Sequence, residues 1–254
     1  MTPTPTRRRI LITGASAGLG AEMARQFAAT GHDLALCARR VERLQELRSE
    51  ILAAHPDLTV TVHALDVDDH DAVFTTFRAA ATELGGLDRV IVNAGLGKGA
   101  PIGTGRFDVN KQTVTTNLLS AMAQCEAAME IFRAAGAGHL VVVSSMSALR
   151  GMPKSMTAYA ASKAGLSSLA EGIRSEMIGS PIKVTTLLPG YIESEMNDQV
   201  AQQTPLMATT SDGVRAMVAA IEREAVSAPV PAWPWRPLGA VLRHAPLRVV
   251  RAFT

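Results

Sequence analysis

The sequence predicts an α/β fold, a doubly wound parallel sheet with helices on both faces. Two observations lead to this prediction. Along the 254 residues, short apolar runs alternate with longer segments of helical periodicity, as expected for parallel strands joined by crossover helices. Only 4% of the residues are aromatic, and Ala, Val and Leu supply most of the apolar side chains, which suits helices packed closely on a sheet.

Six apolar runs bounded by Gly, Pro, Asn, Asp or Ser are predicted strands: residues 9–13, 33–37, 60–64, 89–93, 139–144 and 183–188. Helical periodicity covers 18–30, 41–55, 69–84, 108–135, 155–178 and about 211–225. We expect the two long helices at subunit interfaces of a homodimer or homotetramer. Since ligands bind beyond the carboxyl ends of parallel strands, the loops after the strands should line one crevice.

Composition limits the class of protein. Residues 1–254 should form one domain because no linker divides them, and the Thr- and Pro-rich residues 1–8 predict a flexible lead-in without a secretory signal. The formal net charge of +2 argues against a nucleic-acid partner. Cys37 and Cys125 lack the spacing of a metal site, so we expect no metal and a cytoplasmic location. No apolar run approaches the roughly 20 residues of a membrane-spanning helix.

A glycine-rich segment, residues 13–20, links the first predicted strand to the first predicted helix. Backbone N–H groups and the helix dipole at such a turn can hold a pyrophosphate. Glycine permits the tight turn and the close approach of the ligand, where a Cβ would obstruct both. The spacing is not the common Gly-x-Gly-x-x-Gly, but the position after the first strand favours a dinucleotide site over a plain turn. The predicted cofactor contacts are Gly14, Ser16, Gly18, Leu19 and Gly20.

Two arginines, Arg39 and Arg40, follow the second predicted strand, where a site selective for NAD usually has an acid. A guanidinium can hold the 2′-phosphate of NADP through two hydrogen bonds, which favours NADP (NADPH) over NAD. The alternative is that both arginines are only solvated residues at the start of a helix.

The third and fourth strands end in further candidate cofactor contacts. Asp66, next to Val67, could accept a hydrogen bond from the adenine amino group or could instead cap the following helix. Asn93, Ala94 and Gly95 end the fourth strand with small residues, against which a nucleotide could lie.

Tyr159 and Lys163 are four residues apart in a helical pattern, so both side chains project from one face. A phenol has a pKa of about 10, and a neighbouring cation stabilises the phenolate and lowers that value. Tyr159 could then exchange a proton with a substrate oxygen. Ser145 follows the fifth strand, and its hydroxyl could orient a carbonyl oxygen. In most proteins such a Tyr and Lys would be an incidental surface pair.

These residues, together with Asn117 and Pro189-Gly190, form an ordered set: Thr13-Gly14-x-x-x-Gly18-x-Gly20, Asn93-Ala94-Gly95, Asn117, Ser145, Tyr159-x-x-x-Lys163 and Pro189-Gly190. In this order they resemble the motifs of the short-chain dehydrogenase/reductase family. The resemblance extends from about residue 8 to residue 225, and the joint pattern is far more specific than any one motif.

The resemblance implies a Rossmann-like fold of about seven parallel strands and hydride transfer at the nicotinamide C4, with Tyr159 as the acid and base. Lys163 would also hold the nicotinamide ribose, Ser145 would polarise the carbonyl, and Asn117 would keep a water in a proton relay to Lys163. Residues after the sixth strand would flank the nicotinamide: Pro189, Gly190, Ile192 and Ser194, the last in place of the family's frequent Thr.

The chain departs from the family pattern in two places. The interval from Ser145 to Tyr159 is one residue longer than in many members, so Ser144 or Ser147 remains an alternative for the functional hydroxyl. Residues 229–254 form an amphipathic tail in which Trp233, Trp235 and aliphatic residues alternate with arginines. We expect the tail to pack on its own subunit or a neighbour, closing the substrate cleft or an oligomer contact, in preference to peripheral contact with a membrane.

The sequence therefore predicts an NADP(H)-dependent oxidoreductase acting on a secondary alcohol, ketone or aldehyde. Methionines in the segments expected to face the substrate, Met146 and Met152 among them, favour a largely apolar small molecule. One alternative is a non-catalytic nucleotide-binding regulatory or scaffold protein. Another is a different reaction on the same scaffold, such as dehydration or epimerisation.

Overall fold

A computed structural model describes residues 7–97, 99–193 and 207–252. Seven strands form one sheet in the order β3-β2-β1-β4-β5-β6-β7. They are β1 (Arg9–Thr13), β2 (Asp33–Ala38), β3 (Val60–Ala64), β4 (Arg89–Val92), β5 (Gly138–Val143), β6 (Ile182–Pro189) and β7 (Ser227–Val230). Every neighbouring pair is parallel. The predicted doubly wound parallel sheet is confirmed.

Helices cover both faces of this sheet. They are α1 (Gly18–Ala29), α2 (Val41–Ala54), α3 (His70–Glu83), α4 (Phe107–Val114), α5 (Ser120–Ala135), α6 (Thr157–Glu176), α7 (Thr210–Glu222), α8 (Ala232–His244) and α9 (Leu247–Ala252). Within the three described ranges, no helix combines the length and the apolar character needed to cross a membrane.

The core has one layer on each side of the sheet because successive strand residues point to opposite faces. In β1, Ile10 and Ile12 join the layer under α1, α2 and α7, whereas Leu11 joins the layer under α3, α5 and α6. All three side chains are fully buried. Strands buried on both faces explain why the sequence shows continuous apolar runs in place of alternation.

The predicted helix over residues 108–135 is two helices. A π-helical turn, Thr115–Leu119, separates α4 from α5. Its centre, Asn117, is fully buried and forms two hydrogen bonds with the backbone of Leu96. π-helical turns occur often at functional sites, and this one turns a polar side chain towards the loop after β4. Apolar periodicity cannot reveal such a local change in helical pitch.

Both ends of the described chain differ from expectation. Arg7 and Arg8 were placed in the flexible lead-in, but Arg7 is buried and pairs with Glu224 at 2.9 Å, and Arg8 pairs with Asp33 at 2.8 Å. The first two residues of the expected tail, Pro229 and Val230, belong to β7, which pairs with β6. A strand as short as β7, with the sequence Ser-Ala-Pro-Val, contains too few large apolar residues to be recognised in the sequence. The seventh strand is therefore expected only from the family resemblance.

Candidate active site

The glycine-rich turn between β1 and α1 lies against the end of β4. Gly14 has a φ of +65°, and a Cβ there would come within 2.9 Å of Ala94 Cα. A Cβ on Gly20 would collide with the backbone oxygen of Gly14. Both positions therefore require glycine: Gly14 because of its positive φ and its contact with Ala94, and Gly20 because of its contact with Gly14.

Asn93 holds this turn in place. Its side-chain Nδ2 donates to Thr13 O at 2.9 Å, and Thr13 Oγ1 accepts from the backbone N–H groups of Asn93 at 3.1 Å and Ala94 at 3.2 Å. Helix α1 then begins at Gly18, and its N-cap residue Ala17 offers no side-chain cap. The first N–H groups of α1 thus have no competing side-chain acceptor from the cap, which suits the pyrophosphate of a dinucleotide.

The expected adenosine side holds both candidate arginines. Arg39 and Asp66 are exposed, with 4.0 Å between guanidinium and carboxylate, and Arg40 Nε donates to Ser16 Oγ at 3.2 Å. Arg40 therefore lies against the glycine-rich turn. Helix α3 is capped by Asp69, which accepts from Ala72 N at 3.0 Å. Asp66 does not cap that helix, so the capping alternative is wrong.

Helix α6 carries the candidate acid/base pair. Lys163 is buried, and its Nζ donates to Val143 O at the end of β5 at 2.8 Å. The same Nζ lies 6.0 Å from the centre of the Tyr159 ring. Both side chains lie on one face of α6, as the four-residue spacing predicts, and the structure places this face beside the carboxyl end of β5.

The three candidate serines have different partners. Ser144 Oγ donates to Lys163 O at 2.9 Å and bonds Ser167 Oγ at 2.8 Å, so it braces α6. Ser147 contributes its backbone N–H to Ser145 Oγ at 3.1 Å. The Ser145 side chain is close enough to Tyr159 to lower the pKa of the phenol. Of the three serines, Ser145 is therefore the one associated with Tyr159.

Burial sets the protonation of the pair. It raises the pKa of Tyr159 above its usual range, and the neighbouring Ser145 side chain offsets part of that rise. Burial also lowers the pKa of Lys163 to about 8, because the charged ammonium has lost its hydration. At neutral pH the phenol therefore keeps its proton, and the ammonium is mostly charged.

Asn117 lies close to this pair. A Cβ added to Gly95 would be 3.0 Å from Asn117 Oδ1 and 3.4 Å from Lys163 Nζ, so the amide and the ammonium converge at Gly95. The Asn117 side chain also exchanges hydrogen bonds of 2.7 and 2.8 Å with the backbone of Leu96. It therefore fixes the loop that runs beside Lys163.

Comparison with known proteins identifies the family. The family model for short chain dehydrogenases matches residues 8–205. The chain belongs to the short-chain dehydrogenase/reductase family. It is an oxidoreductase of this family, whose members bind a nicotinamide cofactor, act on small molecules and typically form oligomers.

Similar proteins extend over almost the whole chain. An uncharacterized oxidoreductase of Mycobacterium tuberculosis is 53% identical, covering 98% of each chain. An uncharacterized oxidoreductase of Myxococcus xanthus is 36% identical, covering 85% of this chain and 84% of its own. Among solved structures, levodione reductase is 25% identical with a TM-score of 0.80, covering 88% of this chain and 96% of its own.

At the end of β6, the residues that the family resemblance assigns to the nicotinamide have unequal positions. Pro189 ends the strand, and the N–H of Gly190 donates to Val230 O at 3.0 Å. Ile192 is buried, and a Cβ on Gly213 of α7 would lie 2.7 Å from its side chain, so that side chain packs into the body. Ser194 lies outside the described residues.

The tail contributes the side chain of Trp235 to the region after β6. The buried Trp235 ring packs on Gly190, where a Cβ would collide with the indole, and it makes an edge-to-face contact with Tyr191 at 5.5 Å. It forms a small apolar cluster with Met146 and Leu188. The expected packing of the tail on its own subunit is confirmed for Trp235, whereas Trp233 is exposed.

Sequence reasoning missed Arg150, which fastens the tail. Its guanidinium donates to the backbone oxygens of Arg243 at 3.3 Å and Ala245 at 3.1 Å, at the end of α8. A cation near the last carbonyls of a helix also suits the helix dipole. The sequence shows Arg150 as one of two charged residues, with Lys154, between Ser145 and Met156, and it gives no sign of the partner.

Proposed function

We propose that the protein is an NADP(H)-dependent oxidoreductase that interconverts a secondary alcohol and a ketone, or an alcohol and an aldehyde. The observation that carries this proposal is the buried Lys163 ammonium, whose Nζ lies 6.0 Å from the centre of the Tyr159 ring and 2.8 Å from Val143 O at the end of β5. A bound nicotinamide would supply or accept the hydride at the substrate carbon. The glycine-rich turn and the uncapped start of α1 fit its dinucleotide.

The protein's own residues would handle the substrate oxygen. In the reducing direction, the Ser145 hydroxyl donates a hydrogen bond to the carbonyl oxygen, and Tyr159 transfers its phenolic proton to that oxygen as the carbon is reduced. In the oxidising direction, the phenolate takes the proton back from the alcohol. Lys163 stabilises the phenolate electrostatically in both directions.

The protonated state of Tyr159 in the free protein favours carbonyl reduction over alcohol oxidation. Because burial raises the pKa of Tyr159, the free protein holds the phenol in its acid form at neutral pH. A proton donor is then ready when a carbonyl substrate binds. Asn117, hydrogen-bonded to the loop beside Lys163, is proposed to support the relay that returns a proton to the pair.

The preference for NADP rests on Arg39 and Arg40. Both are exposed at the end of β2, and Arg40 reaches the glycine-rich turn through Ser16. A 2′-phosphate there would gain charge-assisted hydrogen bonds from the guanidinium groups. Asp66, an acid near them, is already paired with Arg39 at 4.0 Å.

We propose a largely apolar small-molecule substrate. Trp235, Tyr191 and Met146 cluster beside Gly190 and Ser145, so apolar side chains adjoin the place where the carbonyl would bind. The similar structure of levodione reductase, by its name a reductase, is consistent with a carbonyl substrate. Thioether and aromatic side chains adapt to apolar groups of varied shape.

We also propose a homodimer or homotetramer in the cytoplasm. Val114, Leu119 and Met122 are exposed apolar residues along α4, the π-helical turn and α5, as a subunit interface would need. Cys37 and Cys125 are buried free thiols, which suits a reducing compartment. Light scattering on the purified protein measures the assembly, and a monomer at micromolar concentration would contradict it.

Fluorescence titration with NADPH and NADH, followed by a panel of apolar ketones, tests the proposed reaction. We expect tighter binding of NADPH and ketone-dependent loss of absorbance at the reduced-nicotinamide band. One mole of cofactor should be oxidised for each mole of alcohol formed. Binding without turnover on any carbonyl would support the regulatory alternative, and product formation without net cofactor oxidation would indicate dehydration or epimerisation.

A further inference from the structure

We propose that the outer side of α8 and α9 is a docking surface for an anionic membrane. We define this tail face by six exposed residues, which are Trp233, Arg236, Val241, Arg243, Leu247 and Arg248. The proposal concerns where the protein binds, and it holds whether or not the proposed reaction is correct.

The inner side of the same helices is fixed on the body of the protein. Trp235 packs on Gly190, and a Cβ on Gly239 would lie 2.8 Å from the Met146 side chain. Val250 of α9 is also buried, and Arg150 holds the end of α8. The helices are therefore anchored, and their outer side chains are free for another role.

The two tryptophans show how sharply the sides differ. Trp235 is 7% exposed, whereas Trp233, two residues earlier, is 79% exposed. Leu247 and Val241 are 65% and 58% exposed. Three large apolar side chains are thus exposed along one short segment of the chain, and exposed apolar residues that are not scattered singly can mark an interaction site.

The charge of the segment indicates the kind of partner. Residues 225–254 contain four arginines and one histidine and no Asp or Glu. Lipid headgroups of negative charge attract arginines near the surface, while a tryptophan and aliphatic residues enter the boundary between headgroups and acyl chains. Arginine suits this position because its stem can lie along apolar groups while its guanidinium stays with the headgroups.

A second copy of the chain fits this surface less well. In a two-fold interface the same patch meets itself, so the arginines of one tail face would oppose those of the other. A nucleic acid would satisfy the arginines but leave Val241 and Leu247 in water. Of these three partners, an anionic membrane surface accommodates the cationic and the aliphatic residues together.

Flotation of the full-length protein with lipid vesicles tests the proposal. The probes are phosphatidylcholine vesicles with and without phosphatidylserine, at low and high salt. We expect binding to vesicles that contain phosphatidylserine, weakened by salt because screening shortens the range of the attraction. The double variant Arg236→Gln/Arg243→Gln should lower the partition coefficient by roughly 25-fold, about fivefold for each arginine.

Arg215→Gln is the matched control, since Arg215 is an exposed arginine of α7 outside the tail face. It should bind vesicles as the wild type does, and circular dichroism should show the same fold for all variants. A second readout is the emission of Trp233, which should shift to the blue on vesicles and lose that shift in Trp233→Phe.

Binding to phosphatidylserine vesicles that is lost in the double variant and kept in Arg215→Gln supports the proposal. Three results would overturn it: no binding at low salt, equal loss in Arg215→Gln, or an unchanged emission spectrum on vesicles. Equally tight binding to duplex DNA, or a change of oligomeric state in the double variant, would also overturn it, since the face would then serve a nucleic acid or a neighbouring subunit.

Discussion

The glycine-rich turn and the C-terminal helix α8 both lie at the carboxyl ends of the strands, but different kinds of residue build them. The turn depends on absent side chains, since Gly14 and Gly20 have no room for a Cβ. Helix α8 depends on a large side chain, Trp235, which fills the space above Gly190. Backbone requirements restrict a position to one residue type, whereas packing can be met by many residue types. A position that requires glycine can therefore be recognised in a sequence, whereas a position filled by packing cannot.

The largest expected effect on activity is at the acid/base pair, Tyr159 and Lys163. The glycine-rich turn is proposed to hold the cofactor and α8 to line the substrate site, and the reaction between the two depends on this pair. Tyr159→Phe removes the phenolic proton and keeps the ring. We expect turnover of a carbonyl substrate to fall by about 10²- to 10⁴-fold, the usual contribution of general acid catalysis. Binding of NADPH, measured by fluorescence titration, should change little. Turnover near that of the wild type would show that another group supplies the proton.

The same contrast explains how much the sequence could predict. The four-residue spacing predicted that Tyr159 and Lys163 share one face of α6, because a helix repeats every 3.6 residues, and the Lys163 Nζ lies 6.0 Å from the centre of the Tyr159 ring. The ends of β1 to β6 were predicted within one residue, since strands buried on both faces have continuous apolar runs, whereas β7 has no such run. These features depend on neighbours in the sequence.

Features that depend on distant residues were missed or left open. The π-helical turn at Asn117 follows from hydrogen bonds to Leu96, 21 residues away. The contact of Trp235 with Gly190 and the hydrogen bonds of Arg150 to the end of α8 join segments with no fixed spacing. The choice among Ser144, Ser145 and Ser147 depends on which side chain lies near the Tyr159 phenol, and no pattern in the sequence records that.

The two tryptophans of the tail, one buried and one exposed, provide the next test. Trp235→Ala should lower the free energy of unfolding by about 3–5 kcal/mol, because a large buried side chain is lost. It should also raise KM for an apolar ketone more than it lowers kcat, since the proposed wall of the substrate site is removed. Denaturant unfolding and steady-state kinetics measure the two effects.

Trp233→Ala is the matched control for that variant. Its side chain is exposed, so its effect on the free energy of unfolding should stay within about 0.5 kcal/mol. Equal destabilisation by the two variants would show that burial does not distinguish the tryptophans. An unchanged KM in Trp235→Ala would remove the indole from the substrate site while leaving its packing role intact.

A smaller effect is expected at Arg39, on the glycine-rich side. Arg39→Ala should weaken binding of NADPH by roughly 10- to 100-fold, the worth of a charge-assisted hydrogen bond to a phosphate. Binding of NADH should be almost unchanged and serves as the internal control. Isothermal titration calorimetry measures both. An equal loss for the two nucleotides would mean that Arg39 binds a part that they share.

The smallest expected effect is the pH dependence of cofactor use near neutral pH. The ammonium of Lys163 is proposed to hold the nicotinamide ribose. Burial lowers the pKa of Lys163 to about 8. Its charge is present below that pH and is lost as the pH rises through it. We therefore expect kcat/KM for NADPH, which reports groups of the free enzyme, to be level near pH 7 and to fall above about pH 8. In Lys163→Arg the guanidinium stays charged, so the lower activity of that variant should lack this decline. A profile that falls identically in both proteins would assign the decline to another group.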